Sequence, residues 1–145
     1  HRPKNTIRIV AFMNEENGLG GAKAYAKDCD KKKLKHIAAI ETDGGGFTPR
    51  GFGVDTTAGM YKTVLSWKPL FEPYLITRIN KGGGGADIGP LEKFGVPCIG
   101  YECDNQRYFD IHHTPDDTFD KVNKRELELG AAAIGSLIYL IDKYK

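Results

Sequence analysis

Two glutamates stand side by side in FMNEENGLGG, residues 12–21, directly after the alternating apolar run TIRIVAF. Adjacent carboxylates repel, so Glu15 and Glu16 call for a compensating partner. Further acids and histidines follow other apolar runs. Asp43 ends HIAAIETD, Asp87 follows a run of glycines, and His112-His113 with Asp116 and Asp117 lie downstream of VPCIGYE. Carboxylates with imidazole are a ligand set for zinc, or less specifically for another transition ion. A bound cation is the usual remedy for a converging acid cluster. Taken singly, each feature has a plainer explanation. Paired glutamates commonly open a helix, a strand-end aspartate turns the chain, and a loop histidine is commonly just exposed.

The elements that must position these residues give them joint weight. Thr6–Met13 reads as a strand and Ala22 to about Lys33 as a helix. His36–Thr42 reads as a second strand. The spacing suits a right-handed crossover, hence a parallel pair. Residues 44–55 read as a Gly/Pro/Thr loop, and Met60 to about Phe71 as a helix ending before Pro73. Tyr74–Ile79 is the third expected strand. Asp87 is the expected cap of a short helix that Gly95 ends. Val96–Glu102 is the fourth strand. A final helix runs from Asn123 to about Tyr144, opened by an Asn123/Glu126 capping box, with Leu127, Ala131, Ile134, Ile138 and Ile141 on its apolar side.

This alternation predicts an α/β protein, a three-layer α/β/α arrangement around a mostly parallel sheet. All four strands would then release their acids and histidines at one sheet edge, where open parallel sheets bind ligands.

Bulk properties narrow the function. The 145 residues, 40% hydrophobic, suit one domain. A net charge of +2 with scattered basic residues argues against a nucleic-acid binder. Lys31–Lys33 reads as a solvated helix end. No apolar run approaches the roughly 20 residues of a membrane span. The chain opens on His1-Arg2-Pro3 and is expected to start inside a longer precursor. Three cysteines form no zinc-finger or disulfide framework; a Cys98–Cys103 bridge stays open. GLGGAK has Lys23 where a dinucleotide fingerprint needs glycine. The run Gly82–Gly85 lacks a P-loop's G-K-[ST] and reads as a turn allowing close backbone approach. Ser66 and Ser136 lie in predicted helices outside any G-x-S-x-G. Tyr101, Tyr108 and Phe109 are expected either to line a pocket or to pack.

Four blocks, NEENGLGGAKAYA, ETDGGGFTPRGF, GGADIGPLEKFGVP and RYFDIHHTPDDTFDKVN, resemble in order and spacing the zinc-dependent M28 family of aminopeptidases and carboxypeptidases. The likeness is closest to its plasma glutamate carboxypeptidase (carboxypeptidase Q) branch and runs from about Pro3 to Tyr144. The resemblance implies a dizinc exopeptidase acting on peptides, secreted or periplasmic. It implies Glu15 as general base, Glu16 and His113 on one zinc and Asp43 on the other, with Asp117 supporting them. The histidine of an H-x-D segment and the bridging aspartate that the family supplies upstream have no counterpart here. Residues 1–145 are therefore expected to be the C-terminal part of one catalytic domain, incomplete on its N-terminal side. Such a piece should bind metal weakly and expose a sheet edge that invites homo-oligomers. The alternatives are a non-catalytic binding or structural domain of the same family, or glutaminyl-cyclase-like acyl transfer.

Overall fold

The computed structural model describes residues 2–145. Four strands form one sheet: β1 Ala39–Glu41, β2 Pro49–Val54, β3 Arg78–Lys81 and β4 Cys98–Cys103, in the order β1-β4-β2-β3. β1 pairs parallel with β4, and β2 parallel with β3. β2 and β4 are antiparallel, with Phe52 opposite Tyr101. The sheet is thus mixed, where the sequence predicts a mostly parallel one.

The difference lies in β2, whose PRGFGV falls in the predicted loop. Proline and two glycines argue locally against a strand. Tertiary packing overrides them, because Phe52 and Val54 are fully buried.

Helices cover both faces, as the α/β/α reading expects. On one side α2 Met60–Ser66, α3 Lys68–Phe71 and α5 Lys124–Tyr144 pack on Phe52, Val54, Ile99 and Tyr101 through Val64, Phe71, Leu137 and Ile141. On the other, α1 Gly20–Lys31 and a 3-10 turn at Gly89–Phe94 close over Cys98 through Ala26, Ile88, Leu91 and Val96. The alternation of Cys98, Ile99 and Tyr101 between the two clusters is the strand period of two.

Several boundaries follow local chemistry. Asn123 caps α5, accepting the Glu126 amide at 3.1 Å. The predicted helix over residues 60–71 divides at Trp67, since Pro69 has no amide to continue the ladder. α1 ends beside exposed Lys32–Asp28 (2.7 Å) and Lys33–Asp30 (3.1 Å) pairs, a solvated terminus as read. Asp87 does not cap: the turn opens after Ile88 without a side-chain cap. Among the described residues no helix is long and apolar enough to cross a membrane.

Thr6–Met13, predicted as the first strand, is extended but joins no ladder. Its pattern is that of a strand, yet no neighbour offers it a pairing edge.

Residues 82–87 lie directly on the sheet. A side-chain carbon on Gly100 would overlap the Gly83 carbonyl, and one on Gly85 would overlap the Glu41 carboxylate. Gly135, on α5, faces open space. Gly100→Ala should therefore destabilise by about 1–3 kcal/mol. Gly135→Ala should stabilise by roughly 0.5–1 kcal/mol. Denaturant midpoints of the two variants check both signs.

Candidate active site

Parallel pairing brings the ends of β1 and β4 to one edge. β1 leads to Asp43. β4 leads through α4 Tyr108–Ile111 to His112 and His113. The extended stretch ends at the same edge in a tight turn. Asn14 adopts a left-handed conformation (φ 65°), and the amides of Gly18 and Leu19 both donate to the Glu15 carbonyl at 3.0 Å. Glu15 is half-buried and Glu16 exposed.

The decisive contact joins Glu16 to His113: the imidazole Nε2 donates to Oε1 at 2.7 Å across 97 residues of sequence. His113 is itself left-handed (φ 56°). Its ring stacks on His112 at 3.8 Å, and His112 stacks on Tyr108 at 4.3 Å. The turn that follows bonds to itself. The Thr114 hydroxyl donates to the Ile111 carbonyl at 2.7 Å, and the Asp117 amide to the Thr114 carbonyl at 3.1 Å.

Two tethers fix this loop. Arg107 donates to both Glu126 oxygens at 2.7 and 2.8 Å, and Thr48 donates to Glu126 at 2.6 Å. Arg50 donates twice to Asp104 at the end of β4. Arg107 and Thr48 hold the Glu126 carboxyl below its usual range.

Asp43 belongs to the same field. Burial, then the charges of Asp43, Glu16 and Asp117 among others, raise the Tyr108 hydroxyl. Burial, then Asp43, raise the Asp87 carboxyl.

Asp87 arrives by an unexpected route. β3 runs antiparallel to β4, so its chain leaves at the opposite edge. The glycine loop then recrosses the sheet, with Gly84 over Cys98 and Gly85 over Glu41. Glu41 clamps the landing point, accepting the amides of Ala86 at 3.0 Å and Ile88 at 2.9 Å. Sequence reading did not single out Glu41. Its available signal is the i,i+2 spacing to Asp43, which puts both on one face of an extended strand.

The site is only partly closed. Among the described residues, the one set of three donors within 4.8 Å of one another is Asp55, Glu92 and Cys98, not Glu16, Asp43 and His113. Asp55 spends its oxygens on the Cys98 and Thr57 amides. Burial, then the Asp55 charge, push the Cys98 thiol up to about 12. The Cys98 thiol in turn donates to the Ile88 and Val96 carbonyls at 3.3 and 3.5 Å, so that cluster reads as structural. The carboxylates of Glu15 and Asp43 accept no hydrogen bond among the described residues. Tyr101 lies in the core, its hydroxyl donating to the Phe47 carbonyl at 3.3 Å, while Tyr108 stands at the site and Phe109 is exposed. All three cysteines are free.

A zinc ion fits the Glu16–His113 pair chemically. Both side chains are exposed, and their contacting atoms are the donor types zinc takes.

The sequence profile of Peptidase family M28 matches residues 1–138. The chain belongs to peptidase family M28. This M28 chain is 31% identical over 143 residues to carboxypeptidase Q of Rattus norvegicus, and 30% identical to that of Mus musculus. Each match covers 97% of this chain and 30% of the relative. The crystal structure of Peptidase M28 precursor from Shewanella amazonensis SB2B superposes with a TM-score of 0.85 at 31% identity. That match covers 98% of this chain and 32% of that one. The M28 chain thus spans about a third of the length of these relatives.

The Glu126 tether has a pH signature. A carboxyl lowered by folding adds stability above its ordinary value of 4.5, and that stability is lost as pH falls through the lowered value. Glu126→Gln should flatten part of the acid limb of stability. Denaturant midpoints between about pH 3 and 6 test this, with the remaining slope belonging to groups such as Asp104 and Asp142.

Proposed function

We propose that this chain is the C-terminal part of a single catalytic domain of a zinc-dependent exopeptidase that hydrolyses terminal peptide bonds. Glu15 is its general base, and Glu16, Asp43 and His113 are its share of the metal ligands. The Glu16–His113 contact carries the reading, for it joins a carboxylate and an imidazole from distant segments at 2.7 Å. Membership of M28 and the carboxypeptidase Q relatives support the same class of reaction. The reading extends to a secreted or periplasmic location.

Zinc, when bound, supplies Lewis-acid polarisation of the scissile carbonyl and lowers the pKa of water. The residues of this chain do the rest. In the turn that follows left-handed Asn14, Glu16 reaches His113, and half-buried Glu15 is the carboxylate left for the substrate. The Glu15 carboxylate, half-buried and without a hydrogen bond among the described residues, takes a proton as water adds to the carbonyl carbon. It returns that proton to the amine as the carbon–nitrogen bond breaks. The His112–Tyr108 stack fixes the plane of the His113 ring, and Asp117 steadies the turn behind it.

Expressed within its complete reading frame and loaded with zinc, the protein should release terminal residues from peptides. Glu15→Gln should lower kcat by about 100-fold or more, with zinc content unchanged. Glu16→Ala and His113→Ala should lose zinc. A zinc-loaded complete protein inert towards a broad peptide panel overturns the proposal and favours a non-catalytic domain. Cyclised products in place of hydrolysed ones favour acyl transfer.

The isolated chain should titrate with zinc weakly and hydrolyse nothing, since its ligand set is not closed. Calorimetry showing two tight sites would contradict this.

A further inference from the structure

A cavity of about 390 Å³ opens where α1 and the 3-10 turn at Gly89–Phe94 both end. Leu34, Leu91, Phe94 and Val96 line it, together with Lys33 and Lys35. It stands at the sheet edge opposite the candidate active site. Residues 34–36 and 95–96 lead into β1 and β4, which run parallel, whereas Asp43 and His113 follow the other ends of the same two strands.

Two helix ends build this cavity. α1 closes with the Lys33 amide donating to the Asp30 carbonyl at 3.0 Å and the Leu34 amide to the Cys29 carbonyl at 2.9 Å. Lys33 takes the left-handed conformation (φ 53°) that glycine usually occupies in such a cap, and this turns Leu34 back over the end of the helix. The 3-10 turn closes in a similar way. Gly95 is left-handed (φ 76°), its amide donates to the Glu92 carbonyl at 2.8 Å, and the Val96 amide donates to the Leu91 carbonyl at 3.5 Å. The amides of Lys33, Leu34, Gly95 and Val96 are thus all spent within the protein. The apolar side chains are not, for Leu34 is 38% and Phe94 41% exposed.

The charge around the cavity is positive. Residues 23–35 carry six lysines against two aspartates, in a chain whose net charge is only +2. Both aspartates are taken, Asp28 by Lys32 at 2.7 Å and Asp30, itself a lining residue, by Lys33 at 3.1 Å. Glu92 stands instead with Asp55 and Cys98, their ligand atoms within 4.8 Å of one another. Among the described residues Lys35 has no carboxylate partner. Neither has Lys93, whose ammonium lies over the Phe94 ring at 4.9 Å. An apolar cleft with a cationic rim and spent amides selects a ligand with an apolar body and one negative charge. A peptide segment suits it less, because peptide groups buried without partners are costly.

We propose that this cavity is a second ligand site, which takes a medium-chain fatty-acid anion with its carboxylate at Lys35 and its chain against Leu34, Leu91 and Phe94. The volume falls at the lower end of the range of about 300–1,000 Å³ usual for small-molecule sites, and the lining is of the usual kind, mostly apolar with a few polar groups. At roughly 30 Å³ for a water-sized group it holds about thirteen such groups, enough for a chain of about eight carbons with its carboxylate. The site shares no residue with the catalytic assignment, so either can fail without the other.

Titration calorimetry tests this on the chain expressed within its complete reading frame, with EDTA present so that no metal holds a carboxylate. Octanoate, octanol and octylammonium are probes of equal chain length and different charge. Octanoate should bind at one site, about 10-fold or more tighter than octanol or octylammonium. Lys35→Glu should weaken octanoate by about 10-fold or more and spare octanol. Lys35 is exposed, so this variant keeps the fold. Phe94→Ser should weaken octanoate and octanol alike. Octanoate that binds no more tightly than octanol, that binds Lys35→Glu as well as the parent, or that does not bind at millimolar concentration overturns the proposal. Free leucine or a leucine-ended dipeptide that binds more tightly than octanoate overturns it in favour of a peptide fragment.

Discussion

The parallel pairing of β1 with β4 is the constraint on which the site depends. It sends both chains out at one edge, so Asp43 and the His112-His113 loop arrive together although sixty-odd residues separate them. Everything else at that edge is arranged around the pairing. Cys103 ties the end of β4 to the loop beyond Asp43 through a thiol bond to the Gly44 carbonyl at 3.1 Å. Arg50 and Arg107 tie the outgoing loop back to β2 and α5 through Asp104 and Glu126. These are partly exposed ion pairs of modest energy. Their value here is positional, for they restrict where the His113 ring can stand.

The glycine loop solves a different problem. β3 points the wrong way to deliver an acid to this edge. Its chain must cross the sheet face, and that face is already close to the covering helix layer. Backbone without side chains is the thinnest layer that can pass. This explains why glycines meet on both sides of the contact, Gly83 over Gly100 and Gly82 over Gly53. It also explains why Glu41 serves as the clamp. A carboxylate rising from the edge strand accepts two amides at the landing point, that of exposed Ala86 and the part-buried one of Ile88. Its own carboxyl is raised, chiefly by burial.

Much of this was legible locally. Helix α5 announces itself by period and cap, β4 by a continuous apolar run, and the turn at Gly95 by its left-handed glycine. What was not legible depends on distant partners. β2 looks like a loop because its glycines and proline answer to neighbours from residues 78–83 and 98–103, which no local window contains. The parallel rule misled for Asp87, since the reversal of β2 and β3 is a property of the sheet rather than of either strand. Thr6–Met13 errs the other way. Its alternation is real, but a strand is defined by its neighbours. Of the site residues, the meeting of Glu15-Glu16 with the His112-His113 loop was legible from the strand ends, while the pairing of Glu16 with His113 was legible only through the M28 resemblance. Glu41, which binds only backbone, left no comparable mark.

The adjacent glutamates now have a physical account. Their repulsion is relieved by direction, since the turn at Asn14 sends Glu16 to an imidazole and leaves Glu15 half-buried nearby. His113 meets one carboxylate with a hydrogen bond, whereas the charges of Asp43 and Asp117 also bear on Tyr108 and that of Asp43 on Asp87, and a cation is the partner that would offset such a gathering of acids.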